Sequence, residues 1–318
     1  MKKVATLLLG LGIATAVMGQ EFPSRTLRIV VPNPPGGTVD IVARAVAQQM
    51  GARFGQSIVV EPKPGGNSLI GMEMVARAAP DGYTILVAAA GAITINPLVT
   101  RMPFDVARAF APVAMLAGTP NVIAVHPSVP AKSLQELIAL AKARPNALNY
   151  ASGFQASGMH LAAERLKSLG GFEMNYIPYQ GGIQAVLAAV GGHAEVAFVP
   201  LSDAAPHIAS GRLRALAVTS LERFEQLKDV PTVAESGFPG FESMQWFGAL
   251  VPAATPKAVI DRLSVEMRRA LDNPELRAMF AKQCLIPTPL ASEQFNALLH
   301  SETLMYAALI RDVGIKPE

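Results

Sequence analysis

The sequence predicts an α/β protein with a largely parallel sheet, and three patterns carry this prediction. Short apolar runs rich in Val and Ile alternate with segments whose apolar residues follow helical spacing, which is typical of βαβ units. Glycine-rich turns follow several of these runs and lead into the next helical segment. No linker or low-complexity segment divides the 318 residues. We therefore expect two α/β halves in close contact, with more than one crossing between them.

The N-terminal part shows the strand–turn–helix unit most clearly. An apolar run at 28–31 is followed by the turn 32–37, and apolar residues between Val39 and Met50 then recur at helical spacing. Gly65 and Gly66 lead into a second helix in the same way. The unit therefore repeats, with strands predicted at 28–31, 58–61 and 83–87 and helices at about 39–50 and 68–78.

The rest of the chain continues the alternation and ends in helices. Ser133 and Glu136 form a capping box, in which each side chain bonds the other residue's backbone N–H at a helix start. Pro256 and Pro274 mark two later helix starts, because proline is favoured at the first helical position. Further strands are predicted at 121–126, 148–151, 176–178, 195–199, 213–219 and 241–251, and helices begin near 134, 158, 181, 256, 274 and 292.

The first twenty residues predict a cleaved signal peptide. Lys2 and Lys3 form a basic start, residues 4–17 are apolar, and Val17 and Gly19 suit the −3 and −1 positions of a cleavage site. The alternative is a membrane anchor, which needs about 20 apolar residues, and this run is shorter. We therefore expect residues 1–20 to be removed on export and the mature protein to be periplasmic.

Composition excludes several classes of protein. With 51% hydrophobic and 16% charged residues, the chain is not predicted to be disordered. The formal charge is +3, and without Lys2 and Lys3 it falls to 25 basic against 24 acidic residues, or +1. This balance offers no basic surface for nucleic acid. The single cysteine, Cys284, has apolar neighbours and is predicted to be a buried small side chain rather than a nucleophile.

The sequence contains no motif for catalysis, a cofactor or a metal. It lacks a P-loop, a GxSxG elbow, an HExxH pair and a CxxC pair, and the one start of a GxGxxG pattern, at Gly10 and Gly12, falls in the predicted signal peptide. His160 and Glu164 are four residues apart, which is more typical of a helix-face contact than of a metal site. We predict no cofactor, no metal and no enzyme activity; an exported hydrolase or isomerase is the alternative of another class.

Four glycine- or serine-rich turns predict a site for an anion. They lie at 34–37, 65–66, 152–158 and 181–182, each between a predicted strand and a helix. Ligands of open α/β sheets bind at such turns, and the free N–H groups and dipole of a helix start attract anions. From these residues alone, ordinary tight turns are an equally good explanation.

Motifs along the whole predicted mature chain resemble those of one family. The first loop reads Val-Val-Pro-Asn-Pro-Pro-Gly-Gly-Thr-Val-Asp at 30–40. Other matches, in the family's order, lie at 79–84, 110–113, 125–128, 148–152, 160–164, 178–182, 211–219, 229–235, 246–248 and 314–318. In these motifs the chain is similar to the substrate-binding receptors of tripartite tricarboxylate transporters, the Bug receptors.

The resemblance implies a two-lobed periplasmic-binding-protein fold with two crossing segments and a ligand cleft that closes as a hinge. Domain one is expected at 22–121 and 233–318, and domain two at 122–232; Trp246 should pack near the hinge. The resemblance further implies a small carboxylate ligand held by backbone groups of the first two loops, partly through ordered water. It implies delivery to membrane permease subunits, or in some cases to a sensor. We expect a monomer.

The first loop is expected to supply most contacts from domain one. Gly36 and Gly37 should act through backbone freedom and exposed N–H groups. Thr38 and Asp40 lie at a helix start, where capping is the competing role. For Asp40 capping is favoured, because a carboxylate repels an anionic ligand. The other expected contacts from this domain are Asn33, Gly66 and Ala90.

Domain two is expected to supply the far wall of the cleft. Ser152, Gln155 and Ser157 are candidate hydrogen-bond donors to the ligand. Phe154 lies inside a polar glycine loop, which favours exposure to the cleft over burial in the core. Tyr179 follows a strand end, where contact through its hydroxyl and packing beneath the loop are equally good interpretations.

Departures from the family's usual residues indicate the character of the ligand. The family usually has an aromatic residue at Asn33, small polar residues at 153–156, and often an acid at Val199 that suits amino groups. With Phe154 and Met159, Val199 would form an apolar wall. We predict an aromatic mono- or dicarboxylate of the benzoate, phthalate or terephthalate type. A short aliphatic dicarboxylate is the alternative.

Overall fold

The computed structural model describes residues 22–312; the predicted signal peptide at 1–20 and the motif at 314–318 lie outside them. Within the described residues, no helix has the length and apolarity of a membrane span.

The strands are β1 (Leu27–Val31), β2 (Ile58–Pro62), β3 (Thr84–Ala89), β4 (Phe110–Val125), β5 (Asn149–Ser152), β6 (Asn175–Pro178), β7 (Val196–Pro200), β8 (Arg214–Val218), β9 (Met244–Pro252) and β10 (Ile286–Pro287). The helices are α1 (Thr38–Phe54), α2 (Leu69–Ala76), α3 (Asn96–Val99), α4 (Val106–Ala109), α5 (Leu134–Ala143), α6 (Gly158–Gly170), α7 (Gly182–Val190), α8 (Leu201–Ala209), α9 (Lys257–Leu271), α10 (Pro274–Lys282) and α11 (Ser292–Asp312).

Two groups of parallel strands flank a pair of antiparallel strands. Along the hydrogen-bonded sheet the order is β2–β1–β3–β9–β4–β7–β5–β6, with β8 and β10 also paired to β4. β1 is parallel to β2 and β3, and β5 is parallel to β6 and β7. β9 is antiparallel to both β3 and β4. The predicted α/β class, built from repeated strand–helix units, is confirmed.

The long strand β4 joins the two halves of the sheet. Its residues 110–120 pair with β9, and its residues 121–125 pair with β7. We call lobe one the part built on β1, β2, β3, β9, β10 and the first part of β4. Lobe two is the part built on β5 to β8 and the last part of β4. The chain enters lobe two within β4 and returns to lobe one at β9, which makes two crossings.

Each lobe buries an apolar core of its own. In lobe one, α1 and α9 cover the sheet around Ile29, and Met267 of α9 packs in this core. In lobe two, α5 and α6 cover the sheet around Phe198. Val233 and Phe241 pack in the lobe-two core although they follow residue 232, the predicted end of domain two. The domain boundaries stay predictions about which residues move together.

Hydrogen bonds tie the crossing segments together at the junction of the lobes. The Thr219 hydroxyl accepts from the backbone N–H of Asn121 at 2.8 Å and donates to the carbonyl of Ser243. The Thr119 hydroxyl donates to the carbonyl of Cys284 at 2.9 Å. Cys284 is a free thiol buried among apolar side chains, as predicted, and burial raises its pKa to about 11.

Trp246 packs inside lobe one on β9, close to this junction. Its ring is 1% exposed and meets the ring of Phe295 edge to face at 5.1 Å between centroids. Its indole N–H donates to Glu302 at 2.7 Å. Burial raises the pKa of that carboxyl to about 7, against the effect of the Trp246 hydrogen bond. Trp246 therefore anchors the returning strand to α11.

Candidate ligand-binding cleft

A cavity of about 200 Å³ lies between the lobes, and turns from both lobes form its walls. Lobe one contributes the loop after β1, the residues after β3, and part of β9. Lobe two contributes the loop before α6, the turn before α7 and the start of α8. The polar lining residues are Asn33, Thr38, Ser68, Ser157, Gln180, Gln184, Asp203 and Gln245. The larger apolar ones are Pro34, Pro35, Val39, Phe154, Met159, Ile183, Pro200 and Phe247.

Four helices of nine residues or more begin at the cavity wall. α1 follows Gly37, α6 follows Ser157, α7 follows Gly181 and α8 follows Pro200, and these four residues line the cavity. At each helix start the first N–H groups lack a partner within the helix, and the positive end of the dipole lies there. Among the described residues, no Lys, Arg or His side chain lines the cavity. An anion bound here would be held by backbone N–H groups and hydroxyls.

The first loop requires glycine for different reasons at its two glycine positions. Gly36 has φ +80°, in the left-handed region that favours glycine. Gly37 has φ −75° and ψ 168°, an extended conformation that any residue adopts. The expectation of backbone freedom at Gly37 is therefore wrong. Its missing side chain keeps the wall open instead, since a Cβ there would lie 3.9 Å from Cδ1 of Ile183 in lobe two.

Asp40 stabilises the first loop from within α1. Its Oδ2 accepts from the backbone N–H of Gly36 at 3.0 Å and from Nε of Arg44 at 2.9 Å. The residue is 3% exposed and does not line the cavity. Its carboxylate thus holds the loop in place, which agrees with the capping role and not with the expected ligand contact.

Thr38 makes a direct contact between the lobes. Its hydroxyl donates to Oδ1 of Asp203 at 2.7 Å and lies 3.0 Å from the hydroxyl of Ser202. Burial raises the pKa of Asp203 to about 6, and the hydrogen bond from Thr38 opposes that rise. Ser202 and Asp203 lie in the first turn of α8, a helix that the sequence analysis did not predict. The contact joins the two lobes at the cavity wall.

The loop before α6 places two of its four expected residues at the cavity. Phe154 is half-buried there, and the hydroxyl of Ser157 caps α6 while lining the wall. Ser152 is fully buried and donates to the carbonyl of Phe198 at 2.8 Å, so its hydroxyl is already used inside lobe two. Gln155 is exposed outside the cavity. The expectation that Ser152 and Gln155 donate across the cleft is therefore wrong.

Four other expected contacts lie away from the cavity. Val199 is fully buried in the lobe-two core, because alternate residues of β7 face opposite sides and Pro200 is the one that faces the cavity. Tyr179 packs against the same core. Ala90 is buried in lobe one, and Gly66 is exposed and does not line the cavity. The predicted apolar wall therefore does not include Val199.

The structure adds lining residues that the sequence analysis missed. Gln245 and Phe247 reach the cavity from β9, two residues apart and hence on one face of the strand. Ile183 projects from the first turn of α7, and Asp203 from the first turn of α8. For Gln245, the sequence signal was a polar residue inside the otherwise apolar strand β9.

The stacked rings of His160 and Tyr176 support the loop around Phe154 through hydrogen bonds to its backbone. The N–H of Ala156 donates to Nδ1 of His160 at 2.9 Å, and the Tyr176 hydroxyl donates to the carbonyl of Gly153. The rings of His160 and Tyr176 stack at 3.9 Å between centroids. Burial lowers the pKa of His160 to about 4, so the ring is neutral and its Nδ1 can accept. The loop is thus positioned by hydrogen bonds on both sides of Phe154.

A second, larger groove of about 770 Å³ lies on lobe one, away from the interlobe cavity. Residues 100–107 and α11 form it, and Arg101, Asp105 and His300 are among its lining residues. Because lobe one alone lines this groove, movement of the lobes cannot enclose a ligand there. The interlobe cavity is the better candidate for solute capture.

Comparison of this sequence with known protein families shows which family the chain belongs to. A sequence profile described as "Tripartite tricarboxylate transporter family receptor" matches residues 42–315. This chain belongs to that family. The receptor is accordingly a solute-binding protein of a periplasmic family and not an enzyme, as the sequence predicted.

Individual relatives cover nearly the whole receptor. Protein BugT of Bordetella pertussis is 33% identical over 307 residues, which cover 96% of this chain and 94% of BugT. The structure of R. palustris Rpa4515 with adipate matches with a TM-score of 0.88 at 30% identity, covering 94% of this chain and all of that one. MatC from Rhodopseudomonas palustris with bound malate matches with a TM-score of 0.82 at 27% identity, covering 91% and 100%. These matches confirm the two-lobed periplasmic-binding-protein fold.

Proposed function

We propose that this receptor captures a small carboxylate in the interlobe cavity and delivers it to permease subunits in the membrane. The observation that supports this most directly is the convergence of four helix starts on a cavity without basic side chains. Export with removal of residues 1–20 would place the receptor in the periplasm. It would act there as a monomer and without a cofactor.

The ligand carboxylate is proposed to bind where the first loop meets the start of α7. Gly37 and Thr38 lie on one side of the cavity there, and Gly181 and Gly182 on the other. Backbone N–H groups from two helix starts suit a carboxylate, which accepts several hydrogen bonds at once. Binding between the lobes would also favour their closed arrangement, because the ligand contacts both.

The body of the ligand is proposed to be an aromatic ring. Phe154 from lobe two and Phe247 from lobe one both line the cavity, together with Met159 and Ile183. Aromatic rings and a thioether favour a flat apolar partner, since ring pairs and sulfur–ring contacts add to the gain from buried area. A benzoate-type carboxylate matches this wall and the small volume of about 200 Å³.

A short aliphatic dicarboxylate is the second candidate, and the relatives favour it. The solved structures of Rpa4515 and MatC carry adipate and malate, and both proteins match more than nine-tenths of this chain. The helix starts would accept an aliphatic carboxylate as well as an aromatic one. The two candidates differ in their dependence on Phe154.

Phe154→Ala is expected to weaken binding of benzoate-type ligands about tenfold or more, because the variant loses ring contact and buried apolar area. Calorimetric titration of the mature receptor measures the change, after a thermal-shift screen has selected the tightest aromatic and aliphatic carboxylates. In that screen, a ligand at about 100 times its dissociation constant stabilises the fold by about 2.7 kcal/mol.

Phe154→Leu is the matched control, since it keeps an apolar side chain without a ring. It should recover part of the affinity for aromatic ligands, and adipate should bind all three proteins about equally. If adipate or malate binds tightly while no aromatic carboxylate binds, the aromatic assignment is wrong and the aliphatic one replaces it.

A further inference from the structure

Asp203 is the one charged side chain that lines the interlobe cavity within residues 22–312. Thr38 of lobe one donates its hydroxyl to Oδ1 of Asp203 at 2.7 Å. The other carboxylate oxygen, Oδ2, lies against Gly182, where an added Cβ would stand only 2.1 Å away. Asp203 therefore touches both sides of the place proposed above for the ligand carboxylate.

A carboxylate bound between Thr38 and Gly182 lies beside the carboxyl group of Asp203. Two ionised carboxylates at such a distance repel each other strongly where water is excluded. Among the described residues, the cavity wall has no Lys, Arg or His side chain to balance a second negative charge. A shared proton removes the repulsion, because one carboxyl group becomes neutral and donates a hydrogen bond to the other.

Asp203 is well placed to hold this proton. Burial raises its pKa to about 6, against the effect of the hydrogen bond from Thr38. A neighbouring anion raises the pKa of a carboxyl group further, so the acid form persists at neutral pH when a ligand carboxylate is bound. Since Oδ1 accepts from Thr38, the proton belongs on Oδ2, which lies on the side of Gly182.

The other titratable groups near Asp203 do not face the cavity. α7 and β7 contain no titratable side chain. On α1, Asp40 pairs with Arg44 at 2.9 Å, and neither lines the cavity. On α8, His207 lies one turn after Asp203, and burial and the charge of Arg212 lower the pKa of this imidazole, so it is neutral at pH 7.

We infer that the receptor takes up one proton with each carboxylate that it captures, and that Asp203 holds this proton on Oδ2 and donates it in a hydrogen bond to the ligand. The proton comes from solution and returns there on release. The inference rests on the proposed function, because it requires a carboxylate at this place. Affinity should then fall as the pH rises above about 6, by up to about tenfold per pH unit. Below about 6 it should level off, since Asp203 is already protonated in the free receptor.

Calorimetry on the mature receptor counts the protons directly. The probe is the tighter of benzoate and adipate, whose carboxyl groups are largely ionised above pH 6, as carboxyl groups in general are. Titrations at pH 7 in phosphate and in Tris give different heats if protons are exchanged, because the two buffers ionise with different enthalpies. We expect an uptake of more than about half a proton per ligand, and a dissociation constant about tenfold or more higher at pH 8 than at pH 6.

Asp203→Asn separates this role from a structural one. The amide keeps an acceptor for Thr38 and presents an N–H donor without taking up a proton. The variant should therefore bind the same probe at pH 8 about tenfold or more tightly than the wild type does, with no change between pH 6 and pH 8. A purely structural role for Asp203 would instead weaken binding at both pH values.

Glu302→Gln is the matched control, because the pKa of Glu302 is also raised, to about 7. This side chain accepts from the indole of Trp246 inside lobe one and does not line the cavity. The variant should keep the wild-type proton uptake and pH dependence.

Binding without proton uptake, or an unchanged pH dependence in Asp203→Asn, overturns the inference and leaves the proposed function standing. If no carboxylate of the thermal-shift screen binds at pH 6 or at pH 8, both are overturned.

Discussion

Gly37→Val should abolish carboxylate binding and leave the fold intact. The extended backbone at this position, with φ −75°, accepts valine without strain, so the ligand-free variant should unfold at nearly the wild-type temperature. A Cβ at this position lies 3.5 Å from the carbonyl of Pro34 and 3.9 Å from Cδ1 of Ile183. The two further methyl groups of valine would fill the gap between the lobes and cover the N–H groups at the start of α1.

The expected loss of affinity is about 100-fold or more, which corresponds to about 2.7 kcal/mol. Gly37→Ala is the graded control, because a single methyl group meets only ordinary contacts and should cost less. Titration calorimetry with the tightest carboxylate measures both variants. Wild-type affinity in Gly37→Val would mean that the first loop is not the anion site.

Gly248→Ala should destabilise lobe one by overpacking its core. A Cβ at Gly248 would lie 2.3 Å, 2.7 Å and 3.2 Å from three ring carbons of Phe295. That ring is fully buried and meets Trp246 edge to face, so it has little room to move. Overpacking of this kind costs about 1–3 kcal/mol in a well-packed core.

Urea unfolding followed by the fluorescence of Trp246, the single tryptophan, measures the change. Gly118→Ala is the matched control on the paired strand β4, where the nearest atom to a new Cβ is 3.5 Å away, and it should be nearly neutral. Combining Gly248→Ala with Phe295→Leu should recover part of the loss, which a double-mutant cycle expresses as a favourable coupling. Additive losses would contradict the steric account.

The general course of the chain could be predicted from sequence because the signals are local. Glycine turns followed by helical spacing placed α1, α6 and α7 within a few residues of their observed starts. α8 was missed, since Leu201–Ala209 is short and contains Pro206, which argues against a helix. The missed helix is the one that carries Asp203 into the cleft.

The site was harder to predict than the fold. Whether a residue lines the cavity depends on which face of its strand or loop turns toward the other lobe. Pro200 lines the cavity while the adjacent Val199 lies in the core. Phe154 reaches the cavity while the adjacent Gln155 is exposed outside it. An error of one residue therefore exchanges a cavity-lining residue for one that faces away. Composition and spacing do not show which of two neighbouring residues faces the cavity. The residues near helix starts, such as Thr38 and Ser157, were predicted more successfully because the start itself fixes their position.

Hydrogen exchange measured with and without the tightest carboxylate tests the central claim most directly. Binding between the lobes should slow exchange in two segments at once, at about 36–41 around the start of α1 and at about 181–185 around the start of α7. These segments belong to different lobes, and both contribute residues to the cavity wall. Protection confined to 100–107 and α11, which form the larger groove of lobe one, would contradict the assignment of the interlobe cavity as the binding site.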